Sequence, residues 1–370
     1  MSSVDPDGLL EYSVVFTDRS VNHMSKKFQG AMNEVLSSLK RVYNAPTCVL
    51  VPGGGSFAME SVARQFGTGK RCLVIRNGWF SYRWTQIFEA CNLPMSSTVL
   101  KARRVGEGST APFAPPPIEE VVAVINAEKP EVVFAPHVET SAGIMLPKSY
   151  ITAIGEAVHA NGGIFVLDGV ASGCIWVDMV ACGVDVYISA PQKGWSSTPC
   201  AGVVMLSELG TAALEGTTST SFCMDLKKWR SIMQAYENGA HGYHTTLPTD
   251  GILQFCEAIK ETEALGLDVA CAGQQRLGDE ARALLESKGY ASVAAEGFKA
   301  PGVIVSYTSD PDIKNGKKFS ANGLQIAAGV PLALEEGGDF STFRIGLFGL
   351  NKIQAVSQTV NALKECLDKF

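Results

Sequence analysis

The chain has 370 residues, 46% of them hydrophobic, and a formal net charge of −6. This length allows one large core and a smaller second domain, because single hydrophobic cores stop growing at about 250–300 residues. The mild acidity argues against nucleic acid or an anionic membrane as the main partner, since both are bound through basic patches. The most apolar stretch, residues 164–190, is interrupted by three aspartates, whereas a membrane span needs about 20 nearly uncharged residues.

The ten cysteines are scattered and form no Cys-x-x-Cys pair. In a core-rich chain of this length they indicate reduced, mostly buried thiols, which favours a cytoplasmic location. There is no zinc signature, and we predict no metal site.

Between about Thr47 and Leu206, short apolar runs alternate with segments of helical spacing. The predicted strands are Cys48–Val51, Cys72–Arg76, Val132–Ala135, Ile164–Asp168, Val186–Ser189 and Gly202–Leu206. The predicted helices between them include Phe57–Gln65, Ile118–Ala127 and Ile151–Ala160. Strands that are apolar on both faces and alternate with helices predict an α/β fold with a mainly parallel sheet covered on both sides.

The pattern changes after about Pro248. It predicts the helices Leu253–Leu265 and Gln274–Ser287, short strands near Gly302–Tyr307 and Thr342–Leu347, and a final helix, Lys352–Leu367. These segments are typical of a smaller α+β domain. We place the large domain at residues 25–250 and form the small domain from residues 1–24 and 251–370.

Ligands of an open α/β sheet bind outside the carboxyl ends of its strands. One such end is followed by Gly53-Gly54-Gly55-Ser56 and a predicted helix. Glycines and a helix N-terminus can cradle a phosphate, although the same pattern also makes an ordinary connection.

Three charged residues stand out in apolar surroundings. Asp168 ends a strand, where it could cap the next segment or pair with a cationic ligand such as a protonated pyridine nitrogen. Lys193 follows the next strand, and it is either a desolvated nucleophile toward a carbonyl or an exposed loop lysine. Arg344 interrupts an apolar strand and either clamps a substrate carboxylate or forms an internal salt bridge.

Together these residues resemble the class V aminotransferases, specifically the alanine–glyoxylate (serine–pyruvate) aminotransferase group. The similarity runs from about Val51 to Asn351. Its most specific motifs are Leu167-Asp168-Gly169-Val170-Ala171-Ser172, Gln192-Lys193 and Phe343-Arg344-Ile345-Gly346-Leu347-Phe348-Gly349. The resemblance implies fold type I and the cofactor pyridoxal 5′-phosphate (PLP).

The resemblance also assigns roles around the cofactor. Lys193 would carry PLP as a Schiff base and move a proton in catalysis, while Asp168 would bond the pyridine N–H and keep the ring cationic. Val170 would pack under one ring face and Phe80 would stack on the other, with Trp79 as the neighbour that could replace it. Thr140 matches a hydroxyl residue close to the cofactor and the substrate.

The phosphate and the substrate would be held by further residues of the family pattern. Gly54, Gly55, Ser56 and Gln192 would bind the phosphate within one subunit. Tyr243 and Thr246 resemble residues that reach the phosphate of the neighbouring subunit, which implies a homodimer with shared active sites. Arg344 would bind the substrate α-carboxylate.

The sequence departs from the family near its N-terminus, where relatives have a Pro-Gly-Pro-rich segment that lines the substrate pocket. Here Asp18-Arg19 lies in the corresponding stretch. We hypothesise that Arg19 binds a second acidic group of the substrate; the alternative is an Asp18–Arg19 ion pair on the surface.

The resemblance predicts a transaminase that moves an amino group from an amino acid to a 2-oxo acid such as glyoxylate or pyruvate. The alternatives are a PLP-dependent β-elimination lyase and a cysteine desulfurase on the same scaffold. A desulfurase needs a mobile nucleophilic cysteine, for which Cys200 and Cys223 are the nearest candidates. A catalytically silent binding protein is disfavoured by the intact set of Lys193, Asp168 and Arg344.

Overall fold

The computed structural model describes residues 4–5 and 7–370. The helices are α1 (Lys26–Tyr43), α2 (Gly55–Val62), α3 (Trp79–Cys91), α4 (Ile118–Glu128), α5 (Lys148–Ala160), α6 (Met179–Cys182), α7 (Glu208–Glu215), α8 (Leu226–Glu237), α9 (Thr249–Leu265), α10 (Leu267–Ser287), α11 (Pro311–Lys314), α12 (Lys317–Ala321), α13 (Leu350–Gln354) and α14 (Val356–Leu367). A π-helical turn, Ala63–Gly67, continues α2.

The strands form one large sheet, one small sheet and two short hairpins. They are β1 (Thr47–Pro52), β2 (Arg71–Arg76), β3 (Ser96–Lys101), β4 (Arg103–Arg104), β5 (Phe113–Ala114), β6 (Val132–Pro136), β7 (Val138–Glu139), β8 (Ile144–Met145), β9 (Ile164–Asp168), β10 (Val186–Ser189), β11 (Ala201–Leu206), β12 (Val303–Tyr307), β13 (Ala327–Ala328) and β14 (Thr342–Gly346).

The large sheet has seven strands in the order β1-β11-β10-β9-β6-β2-β3. Strand β11 is antiparallel to both of its neighbours, and the other pairings are parallel. The middle strands β6, β9 and β10 are buried at every position except Ile164, because helices cover both faces of the sheet. The predicted α/β architecture is therefore confirmed, and each of the six predicted strands is present.

Strand β3 and helix α3, together with the helices α1 and α8, are not among the elements predicted from the sequence. Residues 96–101 form an exposed edge of the sheet, where apolar residues are not required. Helix α3 begins with aromatic residues and has only a modest apolar stripe, with Trp84 and Phe88 as its largest buried side chains. The predicted final helix is divided at Ala355 into α13 and α14.

The small sheet has the order β12-β14-β13, and both pairings are antiparallel. Helices α10 and α14 pack together beside it around a second apolar cluster that includes Leu277, Phe343 and Leu363. The predicted limits of the two domains remain a prediction, and residues 1–3 and 6 of the segment 1–24 lie outside the described residues. Ile252 and Phe255 of α9 pack in the core of the large sheet.

No helix in the described part of the chain is long and apolar enough to cross a membrane.

Candidate active site

A cavity of about 330 Å³ lies between the carboxyl ends of the large-sheet strands and the small sheet. Lining residues lie at the carboxyl end of a strand or a few residues after it, and this holds for β1, β2, β6, β9 and β10. The small sheet supplies the opposite wall through Val303, Ala327 and Arg344. The lining carries three cations, Arg83, Lys193 and Arg344, against the single carboxylate of Asp168, so the cavity suits an anionic ligand.

Asp168 is the last residue of β9, and its carboxylate is buried. Its Oδ1 accepts one hydrogen bond from the backbone N–H of Val170 (3.0 Å), and no side-chain cation of the described residues pairs with it within 4.0 Å. Burial therefore raises the pKa of Asp168 to about 6, and the negative charge of Glu139 adds to this effect. An unpaired buried carboxylate of this kind is a ready partner for a cation in the cavity.

Lys193 stands in a tight turn after β10, and its side chain is largely buried at the cavity wall. Its Nζ lies 5.0 Å from the ring centroid of Phe348. Burial lowers the pKa of Lys193, and the nearby charge of Arg344 lowers it further, so the neutral amine is more accessible than in an exposed lysine. The alternative of an exposed loop lysine does not agree with this position.

The turn that carries Lys193 packs directly on the loop after Asp168. A Cβ atom on Gly194 would lie 2.1 Å from the carbonyl oxygen of Gly173, so only glycine permits this contact. The Cys174 thiol also donates to the carbonyl oxygen of Gly194 (3.3 Å). These contacts hold the amine and the carboxylate at neighbouring strand ends.

Arg344 lies on β14, the central strand of the small sheet, and reaches into the cavity from the opposite wall. Its Nε donates to the carbonyl oxygen of Ala328 (2.8 Å), and no carboxylate of the described residues lies within salt-bridge distance. The alternative of an internal salt bridge is therefore wrong. The rest of the guanidinium group remains available to a ligand carboxylate.

The glycine-rich turn after β1 leads into α2, as predicted, and Gly55 and Ser56 line the cavity. A Cβ atom on Gly55 would lie 2.7 Å from Val170 Cγ2, so this helix start packs closely against the loop that follows Asp168. Gln192 also lines the cavity, and its Oε1 is buried without a hydrogen-bond partner. These groups form a polar end of the cavity next to a helix N-terminus.

Helix α3 contributes Phe80 and Arg83, which lie on the same face of its first two turns. The guanidinium carbon of Arg83 lies 4.6 Å from the Phe80 ring centroid, and its Nη1 donates to Ser56 Oγ (2.9 Å). Trp79, the alternative to Phe80, packs on Tyr82 and does not line the cavity. Arg83 is not among the site residues predicted from the sequence, although its spacing of three residues from Phe80 places it on the same helix face.

Val170 and Thr140 also line the cavity, as the resemblance implies. His137 lies just outside it, where Nδ1 is 2.7 Å from Ser172 Oγ. Burial lowers the pKa of His137 to about 4, so this side chain is a neutral, structural hydrogen-bonding group.

Four residues with predicted roles lie outside the lining. Gly54 caps the N-terminus of α2 and stands beside the cavity. Tyr243 and Thr246 are exposed, and their hydroxyl oxygens are 3.2 Å apart. Arg19 is exposed too. It does not line the cavity, where it was expected to meet a second acidic group of the substrate, and it forms no ion pair with Asp18. The second guanidinium of the cavity is that of Arg83.

Comparison with proteins of known sequence gives one family match and several similar proteins. The family model "Aminotransferase class-V" matches residues 9–309. A Synechococcus sp. (strain PCC 6716) protein named soluble hydrogenase, small subunit, is 25% identical over 354 residues, covering 94% of this chain and 87% of the relative. The 2-aminoethylphosphonate–pyruvate transaminase of Salmonella schwarzengrund (strain CVM19633) is 26% identical over 292 residues, covering 76% and 74%.

Comparison with solved structures gives the same fold. The alanine–glyoxylate aminotransferase of Nostoc sp. superposes with a TM-score of 0.78 at 22% identity, covering 94% of this chain and 89% of the other. The predicted PLP fold type I architecture is thus confirmed. The family model matches most of the length of the chain. The chain therefore belongs to the class V aminotransferases, a family of PLP-dependent enzymes.

Proposed function

We propose that this protein transfers an amino group from an amino acid donor to a 2-oxo acid, with PLP bound through Lys193. The observation that carries the proposal is the convergence of Lys193, Asp168 and Arg344 on one cavity. Each of the three is unpaired with an opposite charge among the described residues, which is costly for buried groups unless a ligand satisfies them.

The cavity fits the proposed cofactor. The carboxylate of Asp168 is a partner for the pyridine N–H, because a cation would remove the cost of burying this charge. Val170 and Phe80 offer apolar surfaces for the two ring faces. The start of α2, Gln192 and Arg83 would hold the phosphate, since helix N-termini and guanidinium groups both favour phosphate oxygens.

When bound, PLP withdraws electrons from the substrate, so that a proton can leave the α-carbon. In our proposal Lys193 Nζ accepts that proton and returns one, which its lowered pKa favours near neutral pH. Arg344 orients the substrate by holding its α-carboxylate from the small-sheet wall. Thr140 lines the cavity where it can contact the cofactor or the substrate.

We propose glyoxylate or pyruvate as the amino acceptor. The alanine–glyoxylate aminotransferase of Nostoc sp. and the 2-aminoethylphosphonate–pyruvate transaminase of Salmonella support this choice by their names and their similarity to this chain.

We further propose a cytoplasmic homodimer with shared active sites. Exposed aromatic side chains support an interface, among them Tyr12 (85% exposed) and Phe222 (73%). Tyr243 and Thr246 lie outside the cavity of their own chain, as expected of residues that reach the phosphate of a partner. The ten cysteines are free thiols, which supports a reducing compartment.

The desulfurase alternative is disfavoured, since no cysteine lines the cavity in the described part of the chain. Cys200 is buried, and Cys223 is exposed outside the lining. A β-elimination lyase would keep the same cavity and differ in its product.

The test is to supply the PLP-loaded protein with single amino acids and measure both products. A transaminase yields a 2-oxo acid in an amount equal to the aminated cofactor, and subsequent glyoxylate or pyruvate restores the starting form. Release of ammonia with pyruvate, without amination of the cofactor, would instead establish the lyase.

A further inference from the structure

Glu139 accepts five hydrogen bonds although its side chain is fully buried (0% exposed). Its Oε1 accepts from the backbone N–H of Phe80 (3.2 Å) and from the N–H (3.1 Å) and hydroxyl (2.7 Å) of Ser141. Its Oε2 accepts from the N–H (2.9 Å) and hydroxyl (2.7 Å) of Ser81. Since a buried carboxylate is costly unless it is well hydrogen-bonded, this surrounding is built for a negatively charged group.

The position of Glu139 connects two walls of the cavity. It lies on β7 between Val138 and Thr140, both of which line the cavity, so its own side chain points to the other side of the strand. There it meets the free N–H groups of the first turn of α3, where a negative charge also interacts favourably with the helix dipole. The first two turns of α3 present Phe80 and Arg83 to the cavity.

The backbone at Gly78 packs closely against the carboxylate. A Cβ atom on Gly78 would lie 2.8 Å from Glu139 Cδ and 2.2 Å from Ser141 Oγ. Ser141 Oγ in turn accepts from the N–H of Trp79 (2.9 Å). The start of α3 is thus held from outside the helix by the carboxylate of Glu139 on β7 and by the hydroxyl of Ser141 in the turn after β7.

We propose that Glu139 is a positioning residue, which fixes the first turn of α3 and thereby holds the Phe80 ring and the Arg83 guanidinium at the cofactor cavity. It touches neither the cofactor nor the substrate. The role of these two residues toward PLP rests on the proposed function, whereas the order of the α3 turn is a property of the protein without cofactor.

The direct test is Glu139→Gln, which keeps the shape but replaces one acceptor oxygen by an N–H₂ donor. Each carboxylate oxygen faces at least two donors, so the amide must lose hydrogen bonds in either orientation. In the cofactor-free protein we expect amide hydrogen exchange in residues 77–83 to accelerate by about tenfold. We expect the Kd for PLP, measured by absorbance titration, to rise by about tenfold as well.

Asp185→Asn is the matched control. Asp185 is likewise buried and accepts from the N–H of Phe165 (2.9 Å) and the hydroxyl of Ser207 (3.0 Å), but it lies at the opposite ends of β9 and β10. This variant should lower the melting temperature without changing exchange in residues 77–83 or the Kd for PLP. An equal loss of PLP binding in Asp185→Asn would overturn the proposal, because general destabilisation would then explain both variants.

Ser141→Ala keeps the proposal testable if Glu139→Gln does not fold. It removes one hydroxyl from the carboxylate and the acceptor of the Trp79 N–H, so it should produce the same two changes to a smaller extent. Unchanged exchange in residues 77–83 of a folded Glu139→Gln or Ser141→Ala protein would overturn the proposal. Failure of the wild-type protein to bind PLP would instead contradict the proposed function and leave the exchange test intact.

Discussion

Asp168 gives the cofactor-free protein a pH dependence of known sign. Burial raises the pKa of its carboxyl group to about 6, above the ordinary value of 3.8, so the folded state holds this proton more tightly than the unfolded state does. Stability from this group is fully present below about pH 4 and is lost as the pH rises through 6. At about 1.4 kcal/mol per pKa unit, the contribution of Asp168 to the free energy of unfolding is roughly 3 kcal/mol smaller well above pH 6 than below pH 4.

We therefore expect Asp168→Asn to stabilise the cofactor-free protein relative to wild type more strongly at pH 8 than at pH 4.5. Thermal unfolding at both pH values measures this difference. The same variant should bind PLP at least about tenfold more weakly, since the cation then loses its partner. A melting temperature difference that is independent of pH would contradict the raised pKa.

Arg83 is predicted to hold the cofactor phosphate, because it is tied to Ser56 at the start of α2. Arg83→Ala should raise the Kd for PLP by about tenfold, the usual effect of losing a charge-assisted hydrogen bond. Binding of pyridoxal, which lacks the phosphate, should not change in this variant. Arg103→Ala, which removes a surface arginine paired with Glu120, is the control and should leave both affinities unaltered. Equal losses for PLP and pyridoxal would show that Arg83 acts on the ring end instead.

At the level of elements, the close contact between α2 and the loop after β9 makes two adjacent glycines unequal. A Cβ atom on Gly55 would lie 2.7 Å from Val170 Cγ2, whereas one on Gly54, whose backbone is extended, would meet nothing within 4 Å. We expect Gly55→Ala to raise the Kd for PLP by about tenfold or more, because Val170 must shift out of its packed position. Gly54→Ala should bind PLP as wild type does. Equal behaviour of the two variants in an absorbance titration would contradict the described packing.

Elements that are buried along their length can be predicted from the sequence. The site residues that lie just beyond the ends of these elements can then be predicted as well. The strand Val186–Ser189 is buried throughout and mostly apolar in sequence, so Lys193 is recognisable as a residue just beyond a strand end. Helix α3 could not be found in this way, because aromatic residues dominate its first turn and a carboxylate distant in sequence fixes its start. Glu139 was missed for the same reason, since its partners in α3 lie 58 and 59 residues away.

At the scale of the whole molecule, the two sheets line one common cavity. Only the family resemblance predicts this arrangement. Nothing in the spacing of Arg344 and Lys193, which are far apart in sequence, indicates that they face each other. The burial of Lys193 and the absence of a salt bridge to Arg344 among the described residues are tertiary properties as well. The N-terminal segment illustrates the limit of resemblance, since Arg19 does not reach the cavity of its own chain.

The homodimer is a prediction for the whole assembly. Phe222 is 73% exposed and packs on His244, next to the segment that carries Tyr243. Phe222→Asp should shift the sedimentation behaviour from dimer toward monomer and weaken PLP binding in parallel, because the partner's phosphate contacts are lost. Met95→Asp, a change at an equally exposed apolar residue beside the edge strand β3, is the control and should leave the dimer intact. A wild-type protein that sediments as a monomer at all concentrations would contradict the shared site.

The most direct test of the central claim is to locate the cofactor by borohydride reduction and peptide mass spectrometry. Protein incubated with PLP should carry the reduced cofactor on Lys193, and prior addition of an effective amino acid donor should abolish this label, because the cofactor then leaves the lysine in its aminated form. A label on another lysine, or no label at all, would contradict the assignment of Lys193. A label on Lys193 that persists with every amino acid tested would contradict transamination.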